Sequence, residues 1–176
     1  MSGDHDPSEV DIDRATVARQ LGREPRAFRR VVVRCPFGRP AITEQKPYGP
    51  TGEPFPTMYY VTCPHLVAAI SRLEAAGGVD RWTRGAAEDA ELARSRTDAD
   101  ARQRELRRAL AGGETGRDEG ASLDSGVGGA ARTGSLKCLH AHVAFALANP
   151  GYVLGERIVA ELDPLWPSRC CTGDPE

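Results

Sequence analysis

The chain has 176 residues, with 23 basic and 25 acidic side chains and a formal net charge of −2. That length suits one domain with a real hydrophobic core and is short for two. The balanced charge gives no general reason to expect nucleic-acid binding, and no apolar run is long enough for membrane insertion. Because the acidic N-terminus is unlike a secretory signal peptide, we expect a cytoplasmic protein with reduced thiols.

The N-terminal third predicts a helix followed by strands. Residues 1–8 are expected to be a disordered tail, and residues 10–21 carry a helical pattern. Three later stretches are rich in β-branched or aromatic residues and predict strands, at 28–34, 41–45 and 57–62. Since the first two are joined too tightly for a crossover connection, they should pair antiparallel.

A cysteine follows the third predicted strand directly. Cys63-Pro64-His65 leads into a helical pattern, and proline suits the first turn of a helix, so Cys63 is the expected N-cap residue. The helix dipole favours an anion at that position and therefore favours the thiolate of Cys63. His65 lies close enough in sequence to be a candidate base.

Residues 84–111 predict a charged helical segment with a break near residues 97–98. Its first half is acidic and its end is basic, which suits the helix dipole. A solvated helix face is favoured over a phosphate-binding patch, and the same face is a candidate contact surface for a protein partner.

Residues 112–134 hold eight of the nineteen glycines and read as a flexible linker or an active-site loop. Within them, the backbone N–H groups at Gly126, Gly128 and Gly129 could bind an anion. A flexible linker is the favoured interpretation.

Residues 135–148 predict a helix that is apolar nearly all round, with Ser135 as its N-cap. Cys138 and His142 are one turn apart and share a face, whereas His140 points the other way. We interpret His140 as a hydrogen-bonded core residue and His142 as a functional one. A short helix is expected at 152–162, and Cys170 and Cys171 in the tail are interpreted as incidental rather than as a redox pair.

Four blocks of the sequence together resemble a bacterial family known as domain of unknown function 501. The blocks are RCPFGRPAITEQ, PFPTMYYVTCPHLVAAISRLEAAGG, GVGG and KCLHAHVAFALANP, and the resemblance runs from Val17 to Gly151. It implies a small cytosolic protein of a kind common in actinobacteria, and it assigns no reaction.

The order of elements predicts an α+β fold in which a small, mainly antiparallel three-stranded sheet is covered by helices. One domain is expected over residues 9–165, with the helix 135–148 as the central covering element. Residues 166–176 are expected to be a frayed tail.

Four residues form a candidate zinc site: Cys35, Cys63, Cys138 and His142. Thiolate and imidazole are the ligands that Zn²⁺ prefers, although these residues are scattered over about a hundred positions. One alternative is that the cysteines are small buried hydrophobic residues. Another is an enzyme that uses the Cys63 thiolate with His65 or His142 as base. A third is a non-catalytic regulatory or interaction module that uses the charged helices.

Overall fold

The computed structural model describes residues 7–130 and 135–171. Its helices and strands follow the order α1 (Pro7–Leu21), β1 (Phe28–Arg34), β2 (Pro40–Gln45), β3 (Tyr59–Val61), α2 (Pro64–Ala75), α3 (Gly78–Glu88), α4 (Ala90–Ala111), α5 (Leu139–Ala148) and α6 (Val153–Val159). Three short 3₁₀ turns lie between α4 and α5. The predicted α+β class is confirmed. Among the helices of the described ranges, none has the length and apolar character needed to cross a membrane.

The three strands form one antiparallel sheet in the order β1-β2-β3, as predicted. Every residue of the central strand β2 is buried, because β2 has a neighbour on each side and elements cover both faces of the sheet. Its one carboxylate, Glu44, accepts hydrogen bonds from Arg29 and Arg30 of β1, at 2.9 Å for Arg30 Nε. These two guanidinium groups compensate the burial of the charge.

Helix α5 is the central element of the fold, as the sequence predicts. All residues from Leu139 to Ala146 except His140 are buried, and the helix packs on β3, α2 and α6. The predicted start at Ser135 is wrong, since the helix begins at Leu139 with Cys138 as its N-cap residue. The residues before it are held by other helices: Ser135 O accepts from Arg96, and Leu136 N donates to Thr83 Oγ1.

The charged segment is broken, as predicted, but the break is at Asp89 between α3 and α4 rather than at residues 97–98. The Asp89 carboxylate accepts the backbone N–H groups of Glu91 at 2.8 Å and Leu92 at 3.2 Å, which caps α4. Aspartate is among the preferred N-cap residues, and it ends α3 and starts α4 at the same position.

Helix α4 carries buried polar side chains, in contrast to the solvated face that its composition predicts. They are spaced four, three and four residues apart, so they lie along one face of the helix. We call this set the polar seam: Arg96, Asp100, Gln103 and Arg107. The exposed arginines of α4 lie off this face.

Arg107 is the most deeply buried member of the polar seam, with 0% of its surface exposed. Its Nη1 donates to the backbone carbonyls of Phe55 at 2.9 Å and Pro56 at 3.2 Å, and its Nε donates to Ser122 O at 3.2 Å. One guanidinium therefore joins the proline-rich loop before β3 to the glycine-rich segment after α4. A buried carbonyl needs a donor, and a guanidinium provides up to five in a planar arrangement.

The described part of the glycine-rich segment, 112–130, packs on the body of the protein. Gln103 Nε2 donates to Ser125 O at 3.3 Å and also to Gly126 O. Gly128 and Gly129 have positive φ and approach Ala141 and Pro56 closely. The polar seam thus contacts carbonyls of this segment, and the interpretation as a flexible linker stays a prediction. Residues 131–134 of the same prediction lie outside the described residues.

Replacing the buried guanidinium should cost much of the stability of the fold. In Arg107→Met, a side chain of similar length leaves the carbonyls of Phe55, Pro56 and Ser122 without their donor. We expect the free energy of unfolding, measured by urea titration, to fall by about 2–4 kcal/mol. Arg108→Met is the matched control, since Arg108 is exposed and pairs with Asp124 at the surface. Its effect should stay within about 1 kcal/mol, and equal losses in the two variants would contradict the role given to Arg107.

Candidate functional site

The four predicted zinc ligands occupy separate places in the fold. Cys35 is buried in the turn after β1, Cys63 is buried before α2, Cys138 is half-buried before α5, and His142 is buried within α5. Across residues 7–130 and 135–171, no three His, Cys, Asp or Glu side chains are grouped so that they could hold a metal ion. The fold does not bring this set together, and zinc binding stays a prediction for metal analysis of untagged protein.

Cys63 is the N-cap residue of α2, as predicted, but its thiol is not activated there. Burial raises the pKa of the Cys63 thiol to about 11, and this outweighs the opposing effect of the N–H groups of Leu66 and His65. His65 Nε2 donates a hydrogen bond to the carbonyl oxygen of Pro164 at 3.0 Å, and the role of His65 as a base for Cys63 stays a prediction.

His142 points into the core rather than toward Cys138. Its Nδ1 lies 2.6 Å from the hydroxyl of Tyr152, and burial, followed by the charge of Arg96, lowers the pKa of His142 to about 3. Burial also raises the pKa of Tyr152, so the tyrosine stays protonated and its hydroxyl donates a hydrogen bond to His142 Nδ1. This pair satisfies a polar group inside the core, which is a structural task.

Two of the three N–H groups of the predicted anion site at Gly126, Gly128 and Gly129 bind backbone carbonyls of the same segment. Gly126 N donates to Ala130 O and Gly129 N donates to Gly126 O, both at 2.9 Å. The N–H of Val127, between them, donates to the carboxylate of Asp100 at 2.7 Å, and a Cβ at Gly126 would stand 2.4 Å from Asp100 Oδ1. Anion binding at these glycines stays a prediction.

A cavity of about 600 Å³ lies between β3, α2 and the start of α5. Apolar and aromatic side chains form most of its wall, including Leu21, Tyr59, Val61 and Val67. Cys138 and His140 line it together. The pairing expected from helix periodicity, Cys138 with His142, is thus replaced by Cys138 with His140. The reason is that Cys138 precedes the helix and does not follow its periodicity.

Two buried polar atoms in the wall of this cavity have no hydrogen-bond partner among the described residues. They are Gln20 Oε1 and Thr62 Oγ1, and Thr62 is only 1% exposed. The amide nitrogen of Gln20 is satisfied, since it donates to Pro40 O at 2.9 Å. A buried polar atom without a partner costs about 1–3 kcal/mol, so both oxygens have unmet hydrogen-bonding capacity beside the cavity.

The imidazole of His140 is oriented by a carboxylate of α2. Glu74 Oε1 lies 3.2 Å from His140 Nδ1 and accepts the N–H of Leu139 at 2.5 Å. A carboxylate at Nδ1 holds the proton there and leaves Nε2 as the basic atom. The hydroxyl of Ser71, also on α2, lies 3.5 Å from His140 Nε2.

The Cys138 sulfur stands at the N-terminus of α5, facing the backbone N–H groups of Ala141 and His140. Those groups favour the thiolate, yet burial and then the charge of Glu74 raise the pKa of the Cys138 thiol overall. It is therefore a thiol at neutral pH and needs a base before it can attack. His140, with its orienting carboxylate, lines the same cavity.

Sequence reasoning missed Glu74, and the sequence contains a clue to it. Glu74 lies in the last turn of α2, where the helix dipole disfavours a carboxylate, so its position needs a tertiary reason. Gln20 and Thr62 carry no comparable clue, because only the folded cavity shows that their oxygens lack partners.

The buried state of His142 predicts how stability depends on pH. Its pKa of about 3 in the folded state lies below the value of about 6.5 in an unfolded chain, so the unfolded state binds the proton first. The free energy of unfolding should therefore fall as pH drops below 6.5, by about 1.4 kcal/mol per pH unit from this group. Urea titrations from pH 7.5 to 5 should show a shallower slope in His142→Gln. His65→Gln is the control and should keep the slope of the unchanged protein. A slope unaffected by His142→Gln would contradict the buried neutral imidazole.

Comparison with known proteins gives one match. Residues 31–160 match the family described as protein of unknown function (DUF501). No curated protein and no solved structure matches the chain. The matched range includes the whole sheet from Val31 onward, the cavity wall of α2 and α5, and the polar seam, so it covers most of the architecture described above. This chain is a member of the DUF501 family.

Proposed function

We propose that this protein binds a small, largely apolar molecule in the 600 Å³ cavity and uses the Cys138 thiol with the His140 base to act on it. The observation that carries the proposal is the coincidence of four features in one cavity wall: a thiol, a carboxylate-oriented imidazole, and two buried polar atoms without partners. Most buried polar atoms in proteins have a hydrogen-bond partner, so Gln20 Oε1 and Thr62 Oγ1 are exceptions that need a reason.

The lining of the cavity defines the chemistry of the ligand. Apolar side chains cover most of the wall, so the body of the ligand is apolar. Gln20 Oε1 is an acceptor and calls for a hydrogen-bond donor, while the hydroxyl of Thr62 can serve either role. These two contacts would fix the orientation of the ligand relative to Cys138.

The reaction we propose is acyl transfer from an ester or thioester. His140 takes the proton of the Cys138 thiol, directly or through one water, and the sulfur attacks the carbonyl carbon. The bond to the leaving group breaks, and the leaving group takes the proton from His140. Water then cleaves the acyl-cysteine, releasing the acid and restoring the thiol. Glu74 stabilises the charged imidazole in both steps.

A cytoplasmic location is part of this proposal, because a reducing compartment keeps Cys138 as a thiol. Arg102 and Arg108, which are exposed, and the half-buried Arg104 remain a proposed contact surface for a protein partner. Arg107 leaves that set, since its guanidinium is buried against backbone carbonyls.

Hydrolysis of a series of p-nitrophenyl esters and acyl thioesters of increasing chain length tests the proposal. We expect kcat/KM to increase with chain length until the cavity is filled, and to fall at least about 100-fold in Cys138→Ala and His140→Asn. Glu74→Gln should lower kcat with less effect on KM, since it orients the base and does not touch the substrate.

His65→Asn is the matched control. His65 contacts Pro164 O and is not part of the cavity wall, so its replacement should not affect hydrolysis. Ser71→Ala tests whether the nucleophile near His140 is the hydroxyl of Ser71 or the thiol of Cys138. If Ser71→Ala abolishes turnover and Cys138→Ala retains it, the thiol mechanism is wrong. If no ester is cleaved and chemical shifts of Thr62 and Ala141 do not respond to any member of the series, the binding proposal fails as well.

A further inference from the structure

The C-terminal segment of the chain brings a second thiol to Cys63. The sulfur of Cys171 lies 3.6 Å from the sulfur of Cys63, although the two residues are 108 positions apart. Cys63 is 1% exposed, whereas Cys171 is exposed to solvent. Two sulfur atoms at this separation need to approach by only about 1.5 Å to reach the length of a disulfide bond.

Several contacts hold the C-terminal segment in place before it reaches Cys63. Pro164 O accepts a hydrogen bond from His65 Nε2 at 3.0 Å. Arg81 forms an ion pair with Glu161 through two contacts of 2.7 and 2.5 Å. Leu162 is buried in the main core. These contacts hold residues 161–164, and Trp166 packs against the main core, five positions before Cys171. The frayed tail expected from residue 166 stays a prediction. Residues 172–176 lie outside the described residues.

We propose that Cys63 and Cys171 form a reversible disulfide, with a small organic disulfide or a peroxide as the oxidant. This inference is independent of the acyl-transfer proposal, because neither cysteine takes part in that chemistry. It also gives a task to a tail cysteine that sequence reasoning interpreted as incidental.

The exposed thiol reacts first. With a small disulfide RSSR, the thiolate of Cys171 attacks one sulfur and releases RS⁻, which leaves a mixed disulfide on the tail. The sulfur of Cys63 then attacks the Cys171 sulfur while its proton passes to the departing sulfur, which leaves as RSH. Two protein thiols are oxidised to one disulfide and RSSR is reduced to two thiols. With a peroxide, Cys171 becomes a sulfenic acid, which Cys63 attacks with loss of water.

The position of Cys63 couples this bond to the cavity. Thr62 and Pro64, its two neighbours in the chain, both line the 600 Å³ cavity. A bond at Cys63 would fix the junction of β3 and α2 to the C-terminal segment, and that junction carries the unpartnered hydroxyl of Thr62. Oxidation would thus stiffen one wall of the cavity.

Oxidation of the folded protein by oxidised glutathione, followed by intact mass and peptide mapping, tests the inference. We expect the protein to lose the mass of two hydrogen atoms and to yield a cross-link between the peptides that contain Cys63 and Cys171. Trypsin digestion of the denatured oxidised protein should release the peptide that begins at Cys170 only after reduction, since trypsin cleaves after Arg169. The midpoint of urea unfolding should rise on oxidation and return on reduction, because the bond closes a long loop.

Two serine variants make the assignment specific. Cys170→Ser is the matched control and should keep the cross-link, whereas Cys171→Ser should lose it. Oxidation in concentrated urea should give far less of the Cys63–Cys171 product, since the fold brings the two thiols together. The inference is overturned if the only products are a Cys170–Cys171 bond or linked dimers. It is equally overturned if Cys171→Ser cross-links as well as the unchanged protein.

Discussion

The buried guanidinium of Arg107 is the interaction on which the arrangement of the irregular segments depends. The proline-rich loop before β3 and the glycine-rich segment after α4 meet through a backbone bond, from Arg117 N to Gly52 O at 2.8 Å, and Arg107 donates to carbonyls of both. A buried carbonyl without a donor is costly, so these segments could not pack without a polar partner inside the fold. Helix α4 supplies it from a face that would otherwise carry leucine or valine, and so a polar helix becomes part of the interior.

The packing of the glycine-rich segment on α5 also helps to position the residues that line the cavity. The glycine-rich segment packs on α5 through the close approach of Gly128 to Ala141, and this fixes one flank of the helix. Glu74 fixes its first turn by accepting the N–H of Leu139. With both flank and start determined, Cys138 and His140 are directed to the space between β3 and α2. The polar contacts of the interior thereby place the reactive side chains.

The sequence was sufficient for the elements and insufficient for their polar contacts. Strand β1 follows its prediction residue for residue, because β-branched residues and flanking turns determine it locally. The N-cap role of Cys63 was also correct, since Pro64 marks a first turn. The start of α5 was not, because a carboxylate 65 positions away on α2 accepts its first N–H. Likewise, charge counts predicted a solvated α4, and only the position of Phe55 and Pro56 shows why Arg107 is inside.

The polar seam binds its neighbours by their main-chain oxygens. Arg107 and Gln103 contact carbonyls of Phe55, Pro56, Ser122, Ser125 and Gly126, and every residue type provides a carbonyl. Such recognition constrains the path of a segment while leaving most of its side chains free to vary. The strict requirements are confined to close approaches, as at Gly126. The surface of the segment 112–130 is therefore a place where new side chains, and hence new specificities, can be installed on an unchanged scaffold.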